Sequence, residues 1–140
     1  MGILSTKKSS VLLVHSLSEK LLTLRSNLSD FVRLYAVKSG RAAIRSLKMV
    51  RGISLIVLDL EMTGMTGYEI LDFLKNSDEY SRIPVLVLTS NPQQEIAKKL
   101  RSYNNVAAVF DKIYDVTEFR ETVGELLGVQ ASSIERRGER

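Results

Sequence analysis

The sequence predicts an α/β protein, in which a parallel sheet is covered by helices on both faces. Five short apolar segments alternate along the chain with five segments of helical periodicity. The chain has 140 residues, the usual length of one domain. One apolar segment also ends in a carboxylate, Asp59, directly before a glycine-punctuated loop. Such an ending is expected where a buried strand reaches the edge of the sheet.

Each predicted strand is a short apolar segment, in most cases rich in β-branched residues. The predicted strands cover residues 11–14, 31–37, 53–60, 83–89 and 106–110. Pro84 stands near the start of the fourth strand, where its missing N–H disturbs the sheet least. Because the five strands are expected to run parallel, their carboxyl ends should meet at one edge of the sheet. The crossovers that join them should be right-handed.

The five predicted helices follow these strands and carry apolar residues at close to helical spacing. They cover residues 18–28, 39–50, 68–76, 91 to about 103, and 115–127. Gly128 is expected to end the last helix. Capping boxes are predicted at the starts of three helices: Ser16 with Glu19, Asn91 with Gln94, and Asp115 with Glu118.

The two ends of the chain differ in composition from the middle. Residues 1–9 are expected to be a flexible leader, residues 10–128 the folded domain, and residues 129–140 a disordered tail or linker. Much of the excess behind the net charge of +4 lies in these ends. The tail carries Arg136, Arg137 and Arg140 but also Glu135 and Glu139, and no aromatic residue. A solvated segment is therefore favoured over a nucleic-acid-binding arm.

Composition narrows the class of protein further. The chain has no cysteine, which excludes disulfides and thiolate metal sites and fits a cytoplasmic protein. No apolar segment reaches the roughly 18 residues that a membrane span requires. No membrane partner is therefore expected.

Four polar residues fall at or just after the ends of predicted strands. His15, Asp59, Thr89 and Lys112 belong to strands one, three, four and five. Parallel strands bring these ends to the same edge of the sheet, so the four side chains are expected to converge. Buried strands have little other use for polar residues at matching positions. The sequence thus predicts a polar site whose residues lie far apart along the chain.

Three stretches give the chain a resemblance to the receiver domains of two-component response regulators, over about residues 10–128. They are Asp-Leu-Glu-Met-Thr-Gly-Met-Thr-Gly at 59–67, Ile-Pro-Val-Leu-Val-Leu-Thr-Ser at 83–90 and Val-Phe-Asp-Lys-Ile-Tyr-Asp-Val-Thr-Glu-Phe at 109–119. The resemblance implies a flavodoxin-like sheet with strand order 2-1-3-4-5. It also implies that Asp59 accepts a phosphoryl group from a partner's phosphohistidine. Thr89 would hydrogen-bond this group, and Lys112 would pair with it.

Several positions depart from the pattern of that family. The two acidic residues that normally end strand one, and hold Mg²⁺ together with the aspartate, are His15 and Ser16 here. The proline normally found after the lysine is Ile113, so the loop after Lys112 is expected to be all-trans. The aromatic residue expected three positions before the lysine is Val109. Three parts of the family's pattern are thus altered together: the acidic ligands of Mg²⁺, the turn after the lysine and the aromatic residue before it.

These departures predict a weak magnesium site or none. Asp59 and Lys112 together carry a net charge near zero, and a serine hydroxyl is a poor ligand for Mg²⁺. His15 offers a nitrogen ligand, which suits zinc, copper or nickel better, and is expected to be a hydrogen-bonded structural histidine. Glu61 could lend a carboxylate, but the resemblance places it at the rim of the site. Phosphorylation of Asp59 is therefore expected to be slow or absent.

The first functional hypothesis is an atypical receiver, or pseudo-receiver, that works through protein–protein contacts and is not an enzyme. Its partners would be a histidine kinase, a phosphotransfer or output protein, or a second copy of the chain. The binding face would be formed by helix four, strand five and helix five. The candidate contact residues on this face are Ile96, Lys99, Tyr103, Tyr114, Phe119 and Val123.

Two alternatives stay open. One is a receiver that does accept a phosphoryl group on Asp59 from a histidine kinase. The other is a phosphatase, because Asp-Leu-Glu-Met-Thr at 59–63 faintly resembles the nucleophile loop of haloacid-dehalogenase-type enzymes. That class needs a further acidic pair for Mg²⁺, which Asp111 and Asp115 do not convincingly supply, and usually a cap, for which 140 residues would leave no room.

Overall fold

The computed structural model describes residues 8–129, in which five strands alternate with five helices. The strands are β1 (Ser9–Val14), β2 (Val32–Val37), β3 (Ile53–Asp59), β4 (Val85–Thr89) and β5 (Val106–Asp111). The helices are α1 (Ser18–Leu28), α2 (Gly40–Met49), α3 (Gly67–Lys75), α4 (Gln94–Leu100) and α5 (Val116–Leu127). The first strand begins at Ser9, the last residue of the predicted leader. The rest of the predicted leader, up to residue 7, and the predicted tail from residue 130 lie outside the described residues.

The five strands form one parallel sheet in the order β2-β1-β3-β4-β5, which confirms the predicted flavodoxin-like fold. The register decides which strand ends are level with one another. Val14 pairs with Leu58 and Asp59 pairs with Leu88, while Thr89 pairs with Asp111. The carboxyl ends of β1, β3, β4 and β5 therefore lie side by side at one edge of the sheet.

The core has two layers, one on each face of the sheet. Alternate residues of β1 point to opposite faces, so that Leu12 packs toward α2, α3 and α4 while Leu13 packs toward α1 and α5. The central strands are buried on both faces, as expected when helices cover a parallel sheet completely. Among residues 8–129, no helix has both the length and the apolar character to cross a lipid bilayer.

The N-caps of the helices differ from the predicted capping boxes at two of three places, although α1 begins at Ser18 as predicted. The N-cap of α1 is Leu17, with no side-chain hydrogen bond, so the predicted capping box of Ser16 with Glu19 is wrong. The N-cap of α4 is Gln93, so the box predicted for Asn91 is also wrong. The Asn91 N–H instead donates to the Thr89 hydroxyl at 3.2 Å, which keeps this segment outside the helix and shortens α4.

The start and the end of α5 follow the prediction. The Asp115 side chain accepts a hydrogen bond from the Glu118 N–H at 2.9 Å. Gly128 ends the helix with a φ of 76°, a left-handed conformation that glycine adopts without strain. The last helix is thus fixed at both ends by residues that the sequence identifies.

The predicted binding face of α4, β5 and α5 needs a correction. Phe119 and Val123 are fully buried and Tyr103 is only 8% exposed, so these three belong to the core. Their positions follow from packing, because Phe119 stacks on Tyr114 with ring centroids 4.4 Å apart. Ile96 and Tyr114 are half-buried, and Lys99 is exposed. A partner at this face would therefore meet the latter three side chains and not the former three.

Candidate functional site

The four polar residues predicted to converge lie together at the carboxyl edge of the sheet. Asp59 ends β3, and its Oδ1 lies 2.8 Å from the Lys112 Nζ. Its Oδ2 lies 3.5 Å from the Nδ1 of His15, the residue that follows β1. Thr89, at the end of β4, is fully buried beside them, and Asp59 and His15 are 1% and 4% exposed. The site is a buried polar cluster in an otherwise apolar sheet.

The two oxygens of Asp59 have different surroundings. Oδ1 accepts hydrogen bonds from the Lys112 ammonium and, at 3.0 Å, from the backbone N–H of Glu61. Oδ2 is buried and accepts no hydrogen bond from any residue in the range 8–129. A buried carboxylate oxygen without a donor is costly. It therefore marks the side of Asp59 on which this site is incomplete.

His15 does not supply the missing donor. Its Nδ1 accepts a hydrogen bond from the Leu17 N–H at 3.2 Å, which places the proton of a neutral ring on Nε2. Burial lowers the pKa of His15, and the charges of Lys112 and Lys20 act in the same direction against the opposing effect of Asp59. The imidazole is thus neutral near pH 7, and its Nδ1 offers no proton to Asp59 Oδ2.

Lys112 is positioned by the backbone around it. Lys112 directly follows the last residue of β5, and its N–H donates to the Thr89 carbonyl at 3.2 Å. The next turn closes when Asp111 Oδ1 accepts from the Ile113 N–H at 2.9 Å. Every peptide bond between residues 8 and 129 is trans, as predicted for this loop. Burial opposes the charge of Lys112, but the hydrogen bonds that it donates to Asp59 and Glu61 outweigh this effect and raise the pKa of the ammonium.

Glu61 has a role in the site that the sequence did not predict. Its side chain is 42% exposed, as expected at the rim, but its carboxylate reaches inward. Oε2 accepts a hydrogen bond from the Thr89 hydroxyl. Oε1 lies 3.0 Å from the Ser90 N–H, 3.1 Å from the Ser90 hydroxyl and 3.0 Å from the Lys112 Nζ. The available signal was its spacing, two residues after Asp59, which does not reveal the direction of the side chain.

The charge of Glu61 is stabilised by these donors. Burial favours the neutral acid, but hydrogen bonds from Thr89, Ser90 and Lys112 outweigh this effect and hold the pKa of Glu61 below its usual range. With His15 neutral, two carboxylates and one ammonium leave the site with one net negative charge. The charge near zero that the sequence suggested did not include Glu61.

The remaining acidic and hydroxyl candidates lie elsewhere. Ser16 is half-buried after β1 and takes part in no capping bond. Asp111 and Asp115 are engaged in a turn and a helix cap, which leaves the phosphatase hypothesis without its acidic pair. Within residues 8–129, no three His, Cys, Asp or Glu side chains are grouped so that they could hold a metal ion.

Comparison with known proteins places this site in a family. The model of the family described as "Response regulator receiver domain" matches residues 13–123, well over half of the chain. A probable cyclic di-GMP phosphodiesterase of Vibrio cholerae serotype O1 is 30% identical over 97 residues, which cover 68% of this chain and 22% of that protein. A two-component response regulator of Oryza sativa subsp. indica is 40% identical over 62 residues, 44% of this chain and 42% of the relative. The chain thus spans less than half the length of each of these relatives.

Solved structures agree with the fold. A chemotaxis protein of Vibrio cholerae superimposes with a TM-score of 0.79, covering 86% of this chain and 99% of that one. Its sequence is 21% identical, so this likeness supports the fold and not a shared partner.

Proposed function

Because this chain belongs to the response regulator receiver domain family, we propose that it is an atypical receiver of a two-component signalling protein. It acts mainly through protein–protein contacts, with weak or no magnesium-dependent phosphorylation of Asp59. The observation that carries this proposal is the buried imidazole of His15 beside Asp59 Oδ2. The resemblance to the family leads us to expect an acidic ligand of Mg²⁺ at this position.

The donor set around Asp59 fits Mg²⁺ poorly. This ion prefers oxygen ligands in near-octahedral geometry. Asp59 Oδ1 is already bonded to Lys112 and to the Glu61 N–H, and Glu61 Oε1 and Oε2 are bonded to Ser90, Lys112 and Thr89. What remains is one carboxylate oxygen next to an imidazole nitrogen. No step of the proposed function therefore depends on the metal.

The partners that this function implies are signalling proteins. A histidine kinase, a phosphotransfer protein, an output protein or a second copy of the chain could bind at the face of α4, β5 and α5, where Lys99, Ile96 and Tyr114 are accessible in full or in part. The proposal includes a cytoplasmic location, no catalytic turnover by this domain, and no membrane or nucleic-acid partner. The phosphodiesterase relative is much longer than this match, so its named activity is not assigned to this chain.

Magnesium titration tests the proposal directly. We expect NMR signals of Asp59 and Lys112 in the wild type to show no saturable shift as Mg²⁺ is raised through the millimolar range. The matched variant carries His15→Asp and Ser16→Asp, which restore the acidic pair, and it should show a saturable shift because carboxylates suit this ion. Saturable binding by the wild type would contradict the proposal.

The competing function is a receiver that accepts a phosphoryl group on Asp59. The contact of Asp59 with Lys112, and the buried Thr89 beside them, support this alternative. Incubation with acetyl phosphate and Mg²⁺, followed by intact-mass measurement, separates the two. We expect little or no added phosphoryl mass in the wild type and a gain in the double variant. A wild-type gain that disappears in Asp59→Ala would establish the competing function.

A further inference from the structure

We infer that Glu61 is an internal occupant of the oxyanion pocket next to Asp59, which it fills with its own carboxylate and thereby holds the β4–α4 loop in place. The pocket is formed by the Thr89 hydroxyl, the Ser90 N–H and hydroxyl, and the Lys112 ammonium. The inference deepens the proposed function and rests on it in one respect, that Asp59 is the phospho-acceptor position. It explains how the β4–α4 loop keeps one conformation when Asp59 carries no phosphoryl group.

The donors around Glu61 are those that any oxyanion requires. A hydroxyl, a backbone N–H, a second hydroxyl and an ammonium group all donate to one carboxylate: the two groups of Ser90 and the Lys112 ammonium at 3.0 to 3.1 Å, and the Thr89 hydroxyl at a shorter distance. Charge-assisted hydrogen bonds of this kind are the strong ones in proteins. An external oxyanion would need the same donors. It can therefore enter only if the Glu61 carboxylate moves away.

Electrostatics add to this exclusion. An incoming dianion would meet the negative charges of Asp59 and Glu61, which the single charge of Lys112 offsets only in part. The ammonium of Lys112 is already shared between both carboxylates. Placing further negative charge at this edge would therefore be opposed in the partly buried site, where charges interact more strongly than in bulk water.

The same contacts connect Glu61 to α4. The Ser90 N–H donates to Glu61, and the Asn91 N–H donates to the Thr89 hydroxyl, which itself donates to Glu61. These bonds fix the segment between β4 and α4, which begins only at Gln94. The position at which the chain enters α4 is thus set by a carboxylate encoded in the sequence. A partner that recognises α4 would therefore find it in this arrangement without any modification of Asp59.

The first test measures anion binding in metal-free buffer, with inorganic sulfate as the probe. All variants carry Asp59→Asn, which removes the repulsion by this carboxylate and excludes covalent phosphorylation. We expect Asp59→Asn alone to bind sulfate weakly. Adding Glu61→Ala should tighten binding about tenfold or more, with NMR shifts at Ser90 and Lys112. The control is Glu79→Ala in the same background, which removes one exposed negative charge near the start of β3.

The second test uses hydrogen exchange on the full chain without added anion. In Glu61→Ala the Ser90 and Asn91 amides should exchange about tenfold faster than in Glu79→Ala, while Val57 and Leu86 in the central strands keep their protection. Equal sulfate affinity in the three Asp59→Asn proteins, or equal exchange rates in the two single variants, would overturn the inference. Neither test involves Mg²⁺ or phosphorylation, so the outcome is independent of the experiments on the proposed function.

Discussion

At the scale of single residues, the two oxygens of Asp59 set the chemistry of the site. One oxygen has an ammonium and a backbone N–H, while the other lies beside the unprotonated Nδ1 of a neutral imidazole. A protonated His15 would complete the second side, since Nδ1 would then carry a proton. Burial and two lysines oppose that protonation. Only protonated His15 could donate a hydrogen bond to Asp59 Oδ2, and the folded protein favours the neutral form.

This arrangement predicts a pH dependence of stability. The pKa of His15 is lower in the folded protein than in the unfolded chain, where it is about 6.5. The unfolded chain therefore binds the proton more readily, and the free energy of unfolding should fall as the pH drops below about 6.5, until the folded pKa is reached. Thermal unfolding between pH 7.5 and pH 5.5 measures this loss. His15 is the only histidine of the chain, so no other imidazole contributes.

The control for this prediction is His15→Asn, whose side-chain oxygen can accept the Leu17 N–H but does not titrate. Asp59, Lys112 and Lys20 keep their charges in this variant. Its melting temperature should change less over the same pH interval than that of the wild type. Equal slopes in the two proteins would mean that His15 is not the titrating group.

The residues of the site were predictable to different degrees. Asp59, Thr89 and Lys112 follow from apolar segments that predict buried strands and from strand ends that meet at one edge. Glu61 follows from neither, because its role depends on the direction in which a partly exposed side chain turns. The half-buried Ser16 illustrates the opposite error: a favourable capping pattern was present, but the chain enters α1 one residue later.

At the scale of the elements, α3 approaches the end of β3 closely because its first residue is Gly67. A Cβ at this position would lie 2.7 Å from the Leu60 Cα and 3.0 Å from the Asp59 carbonyl oxygen, and the backbone cannot easily retreat from either. The Gly67 N–H also donates to the Leu60 carbonyl at 3.1 Å. The loop that carries Glu61 is therefore held between β3 and the start of α3.

Gly67→Ala should lower the free energy of unfolding by roughly 1–3 kcal/mol, the usual range for overpacking. Urea unfolding of the variant and the wild type measures this loss. An unchanged free energy of unfolding would contradict this reading of the contacts.

The elements themselves were largely predictable, and the exceptions have local causes. The strands could be predicted because their apolar residues follow one another without the alternation that a half-exposed strand would show. Helix α4 was predicted to begin too early, because Asn91, Pro92 and Gln94 match a capping pattern while the Asn91 N–H in fact bonds to the Thr89 hydroxyl. The packing of Phe119 and Val123 was misjudged because a helical stripe shows which residues share a face but not which face is inward.

At the scale of the whole molecule, Arg120 joins the last helix to the first. Its guanidinium in α5 forms two hydrogen bonds of 2.9 Å with the Asp30 carboxylate and a third with the Asn27 carbonyl at the end of α1. It also lies 5.1 Å from the centre of the Phe31 ring. These contacts connect segments about ninety residues apart and close the layer of helices on this face of the sheet.

Replacing this residue tests the connection. Arg120→Ala should lower the free energy of unfolding by about 1–2 kcal/mol, since hydrogen bonds of a charged group are lost at a partly buried place. Arg120→Lys should recover only part of this, because an ammonium does not reproduce the planar fork. Arg45→Ala, on the exposed face of α2, should stay within about 0.5 kcal/mol of the wild type in the same urea titration. An equal effect of Arg120→Ala and Arg45→Ala would show that the two helices do not depend on this contact.

The paired state of Lys112 has a consequence for its reactivity. An amine attacks an electrophile through its free lone pair, and the two flanking carboxylates keep this nitrogen protonated. Acyl donors and aldehydes that modify lysines should therefore react more slowly with Lys112 than with exposed lysines such as Lys48 on α2. The cation at the centre of the site is protected from covalent marking by the anions that it binds.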